Sequence, residues 1–286
     1  MNPDVKHFYH EDSGTLTYVA SDPATRAAAI VDPVLGYSMI SGRTNTESAD
    51  LVANWVVDQG LDVQWILETH AHADHLSSAP YLKSQLGGKI AIGEGIRQVQ
   101  AHFGPVFNLK PPFAPDGHQF DHLFSDGEEF AIGSLRVRVM HTPGHTNDSV
   151  TYVVGNAAFV GDTVFMTDFG TARCDFPGGD AGRLYDSIQS LFSLPDDTVF
   201  YLCHDYPPES RELRFDTPIG EQRADNIHVG DGKSRDEFVA MREARDATLS
   251  LPALILPSIQ VNIRAGNLPD VEDNNIGYIK IPLDTI

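Results

Sequence analysis

Apolar positions along the chain change period repeatedly, and each change marks an element. "TLTYVA" and "RAAAIVDP" predict two strands joined by the turn "SDPAT". In "ESADLVANWVVDQG", Leu51, Val52, Trp55 and Val56 share one helical face, and Gly60 stops the helix. "LDVQWILETH" predicts a strand, "LSSAPYLKSQLGG" a helix ending at paired glycines, and "KIAIG" another strand. Residues 103–122, rich in proline, predict a surface excursion. "SLRVRVMHTPGH" alternates as a strand, and "SVTYVVGNAAFVGDT" predicts a hairpin turning at Gly155 and Asn156. Asp180 is placed to cap a helix whose Leu184, Ile188, Leu191 and Phe192 fall on one side. "DTVFYLCHDY" predicts a buried strand ending in His204. Beyond residue 206 the chain turns polar. A further helix opens with the capping box Ser234 and Glu237, and "ILPSIQVNIRAG" predicts an extended segment. Hairpins followed by alternating strands and helices predict an α/β fold of two sheets with helices outside, a four-layer sandwich.

Composition narrows the function classes. Forty acidic residues against 20 basic ones give a net charge of −20, a field that repels nucleic acid and anionic membranes. No run of about 18 apolar residues occurs, and the N-terminus lacks the basic and apolar regions of a secretory signal. Only Cys174 and Cys203 are present, so a disulfide framework is not expected. The expectation is a cytoplasmic protein.

The chemistry concentrates at strand ends. "ETHAHADHLSS" places His70, His72, Asp74 and His75 just after a predicted strand. His145, Asp162 and His204 each follow a strand of their own. A single histidine after a strand is most simply a loop residue, and Asp162 after Gly161 could simply make a turn. Four strand ends that each offer imidazole or carboxylate form a metal-binding pattern, because rigid supports fix ligand geometry before the ion arrives. His7, His10, His102, His118 and His122 lie in polar segments and are read as structural.

In order, "THAHADH", "GHT", "GDT" and "CHDY" resemble the signature of the metallo-β-lactamase superfamily. The resemblance implies an αβ/βα sandwich with the core at about residues 8–206. Residues 207–286 would be a C-terminal extension of the same single domain, contributing to the substrate pocket. "GTARCDFPGGD", "YLCHDY" and "QVNIRAGNLP" are similar to the persulfide dioxygenases and to the related domain of β-lactamase-hydrolase-like proteins.

For that branch the resemblance implies one Fe(II) per chain held by His70, His145 and Asp162, a face-capping triad that leaves coordination positions free for sulfur and oxygen. His72, Asp74, His75 and His204 would orient those ligands and hydrogen-bond bound water. The implied reaction takes glutathione persulfide, O₂ and water to glutathione and sulfite. A glyoxalase II-like thioester hydrolase uses the same residues differently. There His70, His72 and His145 would hold one Zn, Asp74, His75 and His204 a second, and Asp162 would bridge. A non-catalytic metal-binding, sulfide-sensing module is the third reading. The resemblance further implies that Arg173, Tyr206, His228 and Asn262 lie near glutathione. Family members more often carry an arginine at the position of His228, a charge that Arg223 or Arg264 would then supply. A homo-oligomer is expected, as in many family members.

Overall fold

The structure, a computed structural model, describes residues 1–285. The first sheet runs in the order Asp4–His10, Thr15–Ser21, Ala27–Val31, Asp62–Leu67, Lys89–Gly93 and His122–Phe124. Its first two joints are antiparallel and its last three parallel. The second sheet runs Glu129–Ile132, Leu135–His141, Val150–Val154, Ala157–Phe159, Val199–Tyr201 and Asp216–Pro218. Its one parallel joint joins Ala157–Phe159 to Val199–Tyr201.

Side chains alternate across a strand, so a strand covered on both faces feeds two cores. Leu16, Tyr18 and Ala20 pack between the sheets with Val137, Tyr152 and Phe159. Val19 instead joins Val52, Val56, Leu82 and Phe103, contributed by the helices on the outer face. On the far side Val160 and Phe200 meet Leu184, Ile188 and Phe238. Helix, sheet, sheet, helix is the four-layer order that the periodicity predicts. Asp180 accepts from Arg183 N at 2.7 Å, and both halves of the Ser234–Glu237 box are formed.

Four local readings need correction. Leu51 is 63% exposed, and the buried face of Glu47–Asp58 is Ala49, Val52, Ala53 and Val56. Asp4–His10, unassigned from the sequence, is the edge strand beside Thr15–Ser21. The excursion at 103–122 starts inside the helix Ile96–Val106 and buries Phe103, Phe107 and Phe120. "ILPSIQVNIRAG" is helical over Ile255–Asn262. Its β-branched residues favour extension, but Ile255, Ile259 and Ile263, four apart, together enter the core beside the first sheet. No helix among the described residues is long and apolar enough to cross a membrane.

Candidate metal centre

The strand Asp62–Leu67 delivers the loop that carries His70, His72, Asp74 and His75, and neighbouring elements brace that loop from three sides. Asp32, at the end of the adjacent parallel strand, accepts from Thr69 N at 2.7 Å and Thr69 Oγ1 at 2.9 Å. Asp148 Oδ2 accepts from Ala71 N at 2.7 Å. Asn262 Nδ2 donates to the carbonyls of His72 and His75, both at 2.8 Å, while its Oδ1 accepts from Ser77 N at 2.9 Å. Across the sandwich, Gly161 has φ 52°, and a Cβ there would stand 2.6 Å from Thr69 Oγ1. Glycine therefore allows the close approach that sets Asp162 beside His70.

The carboxylate of Asp162 is central. Its Oδ2 lies 3.8 Å from His70 Nε2 and 3.6 Å from His145 Nε2, and its Oδ1 lies 3.5 Å from His204 Nε2. His204 Nε2 is also 3.1 Å from Asp74 Oδ2. Donor atoms of His70, His145 and Asp162 lie within 4.8 Å of one another, and so do those of His72, Asp74 and His75. Cys203, beneath the site, forms similar groups with Asp162 and His204 and with Asp32 and His72.

Each imidazole has one nitrogen engaged and the other turned inward. His145 Nδ1 donates to the Arg173 carbonyl at 2.7 Å, and His204 Nδ1 to the Gly14 carbonyl at 3.1 Å. A carbonyl only accepts, so both Nδ1 atoms carry the proton. His70 Nδ1 is 3.1 Å from Thr69 Oγ1, and His72 Nε2 is 3.0 Å from Asp32 Oδ1. The opposite atoms, His70 Nε2, His72 Nδ1, His75 Nε2 and His204 Nε2, are buried without a hydrogen-bond partner, as is Asp162 Oδ1. Each unsatisfied buried atom costs about 1–3 kcal/mol, which a bound cation would relieve. Burial, together with neighbouring imidazoles, holds the pKa of His70 and His72 well below the usual value, so their lone pairs are free at neutral pH. Burial opposes ionisation of Asp74, yet the field of His204 and His75 prevails and lowers its pKa well below the carboxylate range. The residues fit a metal.

A cavity of about 230 Å³ opens onto His145, Asp162, Asp74 and His204. Phe165, Phe169, Phe176, Leu249 and Pro252 form its apolar wall. Tyr206, 42% exposed, stacks on the His204 ring at 5.6 Å between centroids. Of the residues expected near substrate, Tyr206 and Arg173 line this cavity, while Asn262 and His228 do not. Asn262 is consumed in bracing the histidine loop. His228 lies behind the wall, where its Nδ1 accepts from Thr171 N at 3.0 Å. Burial, then the fields of Arg242, Arg245 and Lys233, lower its pKa to about 4, which keeps it a neutral acceptor. Neither stand-in arginine reaches the site: Arg223 pairs with Asp196, and Arg264 lies against Phe113 and Asp270. Asp32, Asp148, Arg242, Arg245 and Asp246 escaped the sequence reading. The four-residue spacing of Arg242 and Asp246 on a helix was the available signal for that pair.

Residues 13–204 match the metallo-beta-lactamase superfamily. Glyoxylase B2 of Dictyostelium discoideum is 51% identical, over 98% of this chain and 97% of its own. The mitochondrial persulfide dioxygenase ETHE1 of Bos taurus is 29% identical, over 92% of this chain and 88% of its own. The crystal structure of ETHE1 from Myxococcus xanthus is similar with a TM-score of 0.74 at 30% identity, covering 92% of this chain and 100% of that one. The two ETHE1 likenesses support the branch that the motifs resemble. With the matched domain, the four-layer sandwich and the clustered histidines and aspartates in agreement, the chain belongs to the metallo-β-lactamase superfamily.

Proposed function

We propose that the protein is a persulfide dioxygenase that oxidises glutathione persulfide with O₂ and water to glutathione and sulfite. The observation that carries this reading is the convergence of His70, His145 and Asp162, donors within 4.8 Å of one another, at the floor of an aromatic-walled cavity. These three would hold one ferrous ion, which when bound supplies the electron transfer that O₂ chemistry requires. The chain's own residues supply the surroundings. Phe165, Phe169 and Phe176 keep the sulfur end of a substrate out of bulk water. The Arg173 carbonyl and Thr69 hydroxyl orient two ligand rings. Burial disfavours a charged His204, but the fields of Asp162 and Asp74 outweigh it and raise its pKa, while its Nδ1 is fixed by the Gly14 carbonyl. The extension after residue 206 belongs to the same domain and completes the pocket with Leu249 and Pro252.

A dinuclear thioester hydrolase is the second reading. It is favoured by the unpartnered His72 Nδ1 and His75 Nε2 and by the likeness to glyoxylase B2. In it His70, His72 and His145 would hold one zinc, Asp74, His75 and His204 another, and Asp162 would bridge them.

Metal analysis of protein purified anaerobically, paired with oxygen uptake on glutathione persulfide and hydrolysis of a glutathione thioester, separates the readings. About one iron per chain with persulfide-dependent oxygen uptake is expected. Two zinc ions with thioester cleavage would establish the hydrolase instead. Bound metal with neither turnover would leave a sensing module.

A further inference from the structure

Three arginines line the metal-site cavity, and two of them are fully matched. Arg173 grips Asp175 through Nε at 2.6 Å and Nη2 at 2.7 Å, and its Nη1 donates to the Ser250 carbonyl at 2.6 Å. Arg242 is 1% exposed and spends its guanidinium on Asp246, at 2.8 and 2.5 Å, and on the Thr171 carbonyl at 3.1 Å. Arg245 differs from both. It is exposed, it lines the same cavity, and among the described residues no carboxylate lies within 4.0 Å of its guanidinium. Arg242 and Arg245 stand three apart on the helix Arg235–Asp246, so they meet the cavity from one side, and Leu249 lines it just beyond the helix end. In a chain of net charge −20, acids are abundant, and an unmatched cation beside the site is conspicuous.

We propose that Arg245 is an anion-recognition residue that takes a carboxylate of the substrate's carrier while the apolar wall takes the sulfur end. The ligand class is a thiol or persulfide whose carboxylate stands several ångströms from its sulfur. Glutathione, with two carboxylates, fits that class. A planar guanidinium offers paired donors to a carboxylate, and a wall of phenyl rings weakens competition from water. The inference rests on the persulfide reading only for the identity of the carrier.

The test is calorimetric titration of the full-length, metal-loaded protein with glutathione and with glutathione diethyl ester, for wild type, Arg245→Gln and Arg245→Lys. The wild type should bind the acid more tightly than the ester. Arg245→Gln should weaken acid binding about tenfold and leave ester binding unchanged, with Arg245→Lys intermediate. Arg245 is exposed, so the thermal midpoints of the variants should match wild type. The proposal falls if Arg245→Gln binds glutathione as wild type does, if acid and ester lose affinity equally, or if wild type binds no glutathione. Oxygen uptake on the persulfide is a separate readout. A protein that binds glutathione through Arg245 but oxidises no persulfide would overturn the dioxygenase reading and leave the anion site standing.

Discussion

His145 Nδ1 donates to the main-chain carbonyl of Arg173 across 2.7 Å, so an imidazole of the buried cluster takes its orientation from the backbone of the loop after Gly170. That loop is held at both ends from the helix Arg235–Asp246: Arg242 donates to the Thr171 carbonyl at 3.1 Å, and Asp246 accepts from Cys174 N at 2.7 Å. Arg242→Met should remove one clamp and strand the buried Asp246 carboxylate, destabilising the fold by about 3–5 kcal/mol. Urea unfolding measures that loss. Metal retained after dialysis against a chelator should fall in parallel, and wild-type retention would refute the link to His145.

Asp162 stands between His70, His145 and His204, whereas His75 lies away from it, against Asp74, Thr15 and the His72 ring. Asp162→Ala should abolish metal binding and turnover. In the single-ion reading, His75→Ala should keep most of the iron. An empty site in the His75 variant would point to two ions, and inductively coupled plasma analysis reads the difference directly.

Asn262 makes three buried hydrogen bonds to the histidine loop. Asn262→Ala leaves Ser77 N and the carbonyls of His72 and His75 without those partners. A loss of about 2–4 kcal/mol in unfolding free energy is expected, with faster metal release and little change in KM relative to kcat. A selective rise in KM with unaltered stability would instead place Asn262 on substrate.

Cys174 is buried, and burial followed by the field of Asp246 raises its thiol pKa. Cys203 is raised well above the usual value by burial and by nearby carboxylates. Neither forms thiolate near neutral pH. Iodoacetamide should label the folded protein slowly at pH 8 and modify both cysteines after denaturation. Cys174→Ser should retain turnover, which a sulfur-relay role for Cys174 would not permit.

The clustered histidines and aspartates were legible because their chemistry sits where local pattern changes: each follows a recognisable strand, and strand ends are where a sandwich presents its loops. The four layers followed for a related reason, since alternation and helical spacing report which faces must be buried. Within an element the pattern was less decisive. Leu51 fits the apolar stripe of its helix as well as Ala49 does, and only packing against the sheet puts Ala49 inside. The helix Ile255–Asn262 was misread because its isoleucines carry strand propensity, and its burial depends on neighbours far away in the chain.

Partnership across long separations was decided by the tertiary structure alone. Arg242 meets Thr171, and Asn262 meets His72, through the docking of C-terminal helices that no local spacing encodes. The same docking carries His228 behind the cavity wall, brings the Ser250 carbonyl onto Arg173, and leaves Arg245 facing the opening. Residue type and local period set what each side chain can do and roughly where its backbone runs. Which side chains share one ångström-scale space depends on how whole layers pack, and that is why the donors could be named from the chain while their companions could not.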